Sequence, residues 1–431
     1  MTSGPSDAAI VPSLEVAVAL RRKAAEMAST AASSQGCISW ALRQRGLDGG
    51  ARAVPVLPRR RFCVSAAAGA GFDNENREAF IPVLDQRQTA EWYKENGIEV
   101  LYEDPVVAFD GKTHTLKTSS GKILKYGSLI ISTGCEASRL PAKIGGNLPG
   151  VHYIRDVADA DSLVSSLGKA KKIVVIGGGY IGMEDHIMPR LFTPSLAKKY
   201  EELYQQNGVK FIKGALIDKL EAGSDGRVSS AVLEDGSVVE ADTVIVGIGA
   251  RPVIGPFEAV GVNTKVGGIE VDSLFRTSIP GIFAIGDVAA FPLKMYDRMT
   301  RVEHVDHARK SAHHCVEALL TSHTKPYDYL PYFYSRVFEY EGSSRKIWWQ
   351  FYVGETIEVG SFDPKIATFW IDSDSRLKGV FLESGSAEEF SLLPQLAKSQ
   401  PVVDKAKLKS ATSVEDALEI ARSSLHSGSS V

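Results

Sequence analysis

From about residue 78 to 395, short apolar runs alternate with polar turns and amphipathic stretches, the pattern of an α/β chain. Gly97-Ile98-Glu99-Val100-Leu101-Tyr102 reads as a strand following a short helical stretch, Thr89 to Asn96. Two later blocks share one plan. Gly111 to Gly134 holds extended runs around the turn Ser119-Ser120-Gly121 and ends in Leu129-Ile130-Ile131-Ser132-Thr133-Gly134. Gly226 to Gly249 holds extended runs around Glu234-Asp235-Gly236 and ends in Val244-Ile245-Val246-Gly247-Ile248-Gly249. Each predicts a small antiparallel meander that delivers an apolar strand to a glycine, where the missing Cβ lets a ligand come close. The repeated plan suggests two related domains; two unrelated hairpins are the plainer alternative.

Lys172-Ile173-Val174-Val175-Ile176 has the pattern of a buried strand, and it runs into Gly177-Gly178-Gly179-Tyr180-Ile181-Gly182. That is G-x-G-x-x-G directly after a strand. The first glycine allows a tight turn, the second a close approach to a pyrophosphate, and the amides of the helix start face the anion. Pro189 and Pro194 leave room for two short helical turns at most. The acid expected about 20 residues on falls on Glu201 or Glu202, inside an amphipathic helix predicted over Ser195–Asn207. Either that helix serves as the crossover to Val209-Lys210-Phe211-Ile212, or a strand and a helix are missing.

A second apolar run, Thr277 to Ala284, leads into Ile285-Gly286-Asp287, placing a carboxylate at a strand end where it can accept from sugar or ribitol hydroxyls. An Asx turn is the plainer reading. In Arg301-Val302-Glu303-His304-Val305-Asp306-His307-Ala308-Arg309-Lys310, two histidines three apart have no third metal ligand nearby, so no metal is expected; a solvated helix face is the alternative. Tyr329-Leu330-Pro331-Tyr332-Phe333-Tyr334-Ser335-Arg336 can pack a flat ring and grip an anion, or form a core strand beside Trp348, Trp349, Phe351 and Tyr352.

Composition narrows the classes. The 431 residues suggest roughly two or three domains, and 44% hydrophobic with 23% charged residues is globular. No apolar run reaches membrane-spanning length. A net charge of -3 argues against a broad nucleic-acid surface. Cys37, Cys63, Cys135 and Cys315 form no C-x-x-C, which disfavours a disulfide scaffold, a zinc cluster or a dithiol relay. Residues 27–68 hold six arginines, no lysine and one acid, Asp48, the composition of a transit peptide, with Met27 as its expected start and residues 1–26 upstream of it. A basic arm without fixed structure is the alternative.

The order Thr133-Gly134, Gly177 to Gly182, Gly249, Gly286-Asp287 resembles the two-dinucleotide flavoprotein reductases, and within them the monodehydroascorbate reductases, from about residue 84 to 395. The strings carrying the likeness are GGGYIGME, MPRLFTPSLAKKYEELYQQNGVKF, TSIPGIFAIGDVA, RVEHVDHARKSA and YDYLPYFYSR. The resemblance implies FAD, NADH or NADPH, and reduction of two monodehydroascorbate radicals to ascorbate, with hydride passing to FAD and electrons leaving singly. It implies that Gly177, Gly178, Gly179, Tyr180, Ile181, Gly182, Met183 and Arg190 bind the pyridine nucleotide, with Gly249 beside it. Val106, Thr133, Gly134, Arg155, Asp156, Gly286, Asp287 and Val305 match flavin positions, and Glu303 and His304 positions beside the nicotinamide. Arg309 and Arg336 match the catalytic pair that holds the ascorbate-type anion, and Tyr334 should lie against flavin and nicotinamide. A plastid location is implied, with the mitochondrion as the other destination. No nucleic-acid or membrane partner is expected, and the chain should be a monomer or a weak homo-oligomer.

Two departures stand out. Family members open on a strand, a first glycine-rich turn and a helix; here Asn74 to Asp85 supplies no such turn, and no G-x-G-x-x-G precedes Gly177. Gly182-Met183-Glu184 then runs straight into Asp185-His186-Ile187-Met188, so a helix, a strand and its cofactor-selecting acid are missing. Glu184 matches the glutamate on either side of that gap. The expected architecture is α/β, with two Rossmann-like dinucleotide-binding domains carrying antiparallel meanders, plus a smaller α+β C-terminal domain. Residues 1–72 should form a disordered extension and transit peptide. An incomplete FAD domain takes 73–165 and 248–325, an incomplete NAD(P) domain 166–247, the α+β domain 326–405, and 406–431 a tail. Two alternatives to the reductase remain: a flavin reductase for a small iron–sulfur partner, and an impaired isoform, a splice product in origin, that acts only by binding.

Overall fold

The computed structural model describes residues 8–11, 63–66, 90–177, 192–258, 261–321, 324–340, 343–350 and 354–427. The chain divides into two compact units, residues 1–187 with 202–328, and residues 188–201 with 329–431.

In the first unit, a five-stranded sheet runs in the order Lys210–Ile212, Ala8–Val11, Ile173–Ile176, Thr243–Val246, Val151–His152. The last three strands are parallel. Alternation along the strands sorts the faces. Val174, Ile176, Val244 and Val246 pack with Leu220, Ala231, Leu233 and Val239 of the meander Ile217–Ala222, Val228–Leu233, Val238–Glu240. Ile173 and Ile245 pack with Ala160, Leu163 and Leu167 of the helix Val157–Leu167. Asp156 caps that helix, accepting from the Asp159 amide while the Asp159 carboxylate reaches back to the Asp156 amide.

The sequence reading holds for both meanders. Val106–Asp110, Thr115–Thr118 and Ile123–Lys125 form the first, antiparallel throughout, and lead to Leu129–Ile131. The helix Ala90–Glu95 and the strand Glu99–Tyr102 stand where expected. Within the stretch expected to be disordered, Ala8–Val11 and Cys63–Ala66 are strands. Ala8–Val11 lies antiparallel between Ile173–Ile176 and Lys210–Ile212, both of which need edge partners, and Cys63–Ala66 runs parallel to Glu99–Tyr102.

The second unit is a five-stranded antiparallel sheet, Phe333–Tyr340, Ser343–Gln350, Leu377–Glu383, Ile366–Ile371, Glu355–Gly360. Phe369, Val380 and Leu382 pack on Leu392, Leu393 and Leu396 of the helix Ala387–Ser399. Residues 406–431, expected as a tail, instead contain the helix Val414–Ser427, and most of the helix Lys405–Lys409. Leu408, Val414, Ala417, Leu418 and Ala421 are buried in the same core, because their helical spacing makes one apolar stripe. The start of the helix Pro194–Gln206 belongs to this unit: Phe192 and Tyr200 pack on Phe381, and the Tyr200 hydroxyl donates to the fully buried Glu383 carboxylate.

An aromatic core in the first unit surrounds a histidine. The His307 ring, fully buried, stacks on Phe291 at 4.6 Å, and Tyr327 meets Phe275 edge-on at 4.8 Å. Burial drives the His307 imidazole down to about 3, with the nearby His304 acting in the same direction. Burial likewise lowers His152, His304, His313 and His314. Unfolded, His307 takes a proton near 6.5, so the unfolded chain binds more protons between that pH and about 3. Stability therefore falls as pH drops through that window, by up to about 1.4 kcal/mol per pH unit for each such histidine. Urea midpoints measured from pH 7.5 to 5.5 should decline, with a shallower decline in His307→Phe; equal slopes in the two proteins would contradict the neutral buried ring.

Candidate functional site

Two parallel strands of the first unit, Leu129–Ile131 and Ile282–Ala284, run in register toward two glycines. Gly134 and Gly286 both adopt φ of 66°, the left-handed conformation in which a side chain is strained. Past Gly286 the chain turns through a short 3-10 helix, Gly286–Val288, so that Asp287 stands at the strand end. Its carboxylate is 8% exposed and accepts from Arg155 Nη2 at 2.6 Å. Burial opposes the Arg155 charge, but the bond to Asp287 outweighs it and holds the guanidinium above its ordinary value. A Cβ on Gly134 would stand 3.4 Å from the same Nη2, so the glycine lets the guanidinium lie flat against the backbone.

The Asp287 carbonyl is held from another side. Arg301 Nη1 donates to it at 3.0 Å and to Cys135 Sγ at 2.7 Å, and the Cys135 thiol donates to the same carbonyl at 3.3 Å. Arg301 also pairs with Glu303 at 2.6 Å. Burial, reinforced by the Glu303 charge, pushes the Cys135 thiol up to about 12, so it stays protonated and is no nucleophile. His304 caps the helix Val305–Leu320, its Nδ1 accepting from the Asp306 amide at 3.2 Å. Burial lowers its imidazole, and with Nδ1 an acceptor the neutral ring carries its proton on Nε2.

The two glycines that end the repeated blocks meet. The strands that follow them, Cys135–Ala137 and Ala250–Pro252, pair antiparallel. The Ser138 amide donates to the Gly249 carbonyl, and the Val253 amide to the Gly134 carbonyl. The Thr133 hydroxyl donates to the Val253 carbonyl at 2.5 Å. Gly177 ends Ile173–Ile176 at φ 95°, and a Cβ there would sit 2.4 Å from the Gly247 carbonyl oxygen, so the strand crossing admits only glycine.

Of the residues expected at the site, Gly134, Arg155, Gly286 and Asp287 come together, and Glu303 joins them through Arg301. Asp156 serves as a helix cap, Val106 opens a meander strand, and Val305 opens the helix that His304 caps. Arg309 is exposed on that helix. Tyr334 and Arg336 lie on the strand Phe333–Tyr340 of the second unit, where only their backbone is described, in register with Trp348 and Lys346. Gly178, Gly179, Tyr180, Ile181, Gly182, Met183 and Arg190 lie outside the described residues. Among the described residues no group of three or more histidine, cysteine or acidic side chains could hold a metal, so His304 and His307 form no such site. Sequence reasoning missed the contacts of Cys135, whose one signal was its place directly after Thr133-Gly134. It also missed Ser311, which shares the inward face of its helix with His307.

A carboxylate at the mouth of two glycine-ended strands, backed by an arginine, suits the hydroxyls and ring of a flavin nucleotide. The described residues fit that end of FAD. For the phosphates, the sequence offers no G-x-G-x-x-G before Gly177; Gly69-Ala70-Gly71 comes nearest, with Asn74 in the third glycine's place.

Comparison with known proteins agrees with this geometry. The model of the pyridine nucleotide-disulphide oxidoreductase family matches residues 64–185 and 184–312, two pieces that meet at Glu184-Asp185. A monodehydroascorbate reductase 3-like C-terminal domain matches residues 330–417. A chloroplastic monodehydroascorbate reductase of Oryza sativa subsp. japonica is 81% identical over 491 residues, covering 94% of this chain and 100% of the relative. That alignment is longer than the 431 residues of this chain, so stretches of the rice protein have no counterpart here. A chloroplastic/mitochondrial monodehydroascorbate reductase of Arabidopsis thaliana is 70% identical over 363 residues, covering 79% of this chain and 73% of the relative. Among solved structures, a ferredoxin reductase from Rhodopseudomonas palustris shares the fold, with a TM-score of 0.73 at 23% identity over 91% of this chain and 97% of that one. The chain belongs to the pyridine nucleotide-disulphide oxidoreductases and, within them, to the monodehydroascorbate reductases.

Proposed function

We propose that the flavin of this reductase lies at the mouth of the Gly134 and Gly286-Asp287 strands, and that the single observation carrying this is the pairing of buried Asp287 with half-buried Arg155. The chain is an oxidoreductase of the monodehydroascorbate reductase type, its cofactors are FAD and NAD(P)H, and its place of action is the chloroplast. FAD supplies the acceptance of a hydride and its release as single electrons to two radicals. Asp287 accepts from polyol hydroxyls while Arg155 pairs with its other side. Val106, Thr133, Asp156 and Val305 border the same nucleotide. Gly177 to Met183, Arg190 and Gly249 receive the pyridine nucleotide, with Glu303 and His304 beside its ring. Arg309 and Arg336 hold the singly charged radical by charge-assisted hydrogen bonds, with Tyr334 against the rings. A thiol held protonated at Cys135 fits direct transfer from flavin to substrate without a dithiol relay. The chain acts on monodehydroascorbate as a monomer or weak homo-oligomer, a point that light scattering on the eluted protein measures.

One observation favours a second reading, an impaired isoform that only binds: the sequence lacks a turn for the flavin phosphates. The visible spectrum of the purified chain separates the two. Near one flavin per chain, with bands near 450 nm typical of oxidised flavin chemistry, is expected for the enzyme; a folded, colourless protein that takes up no added FAD would sink it. Arg309→Ala should raise KM for the radical about tenfold, about 1.4 kcal/mol, and leave NADH-dependent ferricyanide reduction unchanged. An unaltered KM would remove Arg309 from the substrate site and revive the reading of a reductase for an iron–sulfur partner.

A further inference from the structure

The Gly286-Asp287 turn is held by buried side chains of the helix Val305–Leu320. Ile285 makes the last bond to the neighbouring strand, its amide donating to the Ile131 carbonyl at 3.0 Å. The next amide, of Gly286, has turned away, and it donates to Ser311 Oγ at 3.0 Å. That hydroxyl gives its own proton to the Ala308 carbonyl at 3.0 Å, which leaves its lone pairs free to accept. Ser311 is fully buried, so no water replaces it.

His307 lies one helical turn earlier and is fully buried. Its Nδ1 lies 3.2 Å from the Tyr327 hydroxyl, and the Tyr327 amide donates to the Ser273 carbonyl. Its face stacks on Phe291, in the strand Ala289–Leu293 that leaves the turn. The helix also abuts the turn sterically, with Ala308 Cβ 3.7 Å from where a Cβ on Gly286 would stand. Glycine reaches φ of 66° without steric cost but visits other conformations as readily, so partners such as these select the one observed.

We propose that Ser311 is a positioning residue that acts through Gly286 to hold the Asp287 carboxylate where flavin needs it. This rests on the reading of Asp287 as a flavin acceptor given above. The alternative is that Ser311 only fills the core.

The test uses the full chain, Ser311→Ala, His307→Phe (which keeps the stacking ring and loses its nitrogens), and Ala312→Gly as a destabilised neighbour on the same helix. Three quantities are measured: amide exchange of the peptide spanning Gly286 to Val288, FAD dissociation constant by fluorescence of the flavin-stripped protein, and melting temperature. In Ser311→Ala, exchange across the turn should quicken at least about tenfold and FAD binding weaken about tenfold, the effect of one buried donor left without its acceptor. His307→Phe, which keeps the stack on Phe291 and does not touch the Ser311 hydroxyl, should leave both unchanged. Ala312→Gly should melt lower without either change. Unchanged turn exchange in Ser311→Ala overturns the clamp. Quickened exchange with unchanged FAD affinity overturns the positioning role, and so does weakening in Ala312→Gly equal to that in Ser311→Ala; these outcomes leave the flavin reading standing. Failure of the unaltered chain to bind FAD overturns both together.

Discussion

Burying the Asp287 carboxylate is the constraint around which the first unit is arranged. A carboxylate that is mostly out of water is costly unless a cation and donors meet it. Arg155 answers that need from 132 residues away in sequence, across the Gly134 backbone. The geometry then demands two strands ending side by side, a glycine at each end, and a third element presenting the arginine. The parallel pair Leu129–Ile131 and Ile282–Ala284 provides the ends, and the capped helix Val157–Leu167 fixes the chain just after Arg155. The Arg155 amide itself donates to the Asp159 carboxylate at 2.9 Å, so the helix start also pins the arginine's backbone.

Much of this was legible in the sequence because the signals are local. The meanders show as extended runs around Gly-containing turns, and Gly286-Asp287 follows directly on its strand. Arg155 is different. Nothing within ten residues of it announces an anion partner, and only the family likeness singled it out. Cys135 and Arg301 were hidden for the same reason: their contact spans 166 positions. The tail expected over 406–431 was misread because Val414, Ala417, Leu418 and Ala421 form a stripe of small and medium side chains interrupted by acids, a weaker apolar signal than Leu392, Leu393 and Leu396 give. Ala8–Val11 is four residues with no turn chemistry of its own; its strand exists through its neighbours' open edges.

The second unit is held by different means. Its sheet is buried on both faces, by the three C-terminal helices on one and by Phe192 and Tyr200 on the other. Tyr200 brings a hydroxyl to Glu383, and Thr193 and Lys199 bring donors to Glu358. A segment that lies nearly a hundred and thirty residues upstream is thus fastened to this sheet by polar as well as apolar contacts. Those polar anchors give the docking a register that aromatic packing alone would leave loose.

The two strands Ile173–Ile176 and Lys210–Ile212 do not pair with each other, which poses a physical problem. A parallel sheet that loses an interior strand exposes two rows of unpaired backbone groups. Ala8–Val11 pairs with both rows, and an antiparallel strand suffices because its pattern of alternate donors and acceptors can satisfy either neighbour. What such a strand cannot replace is the cofactor-selecting acid that normally ends the lost one: Val11 is the last residue of a run of alanine, isoleucine and valine. Backbone pairing is indifferent to side-chain identity, whereas a ribose-binding carboxylate is not, so closing the sheet and binding a ribose are separate demands on a strand in that place.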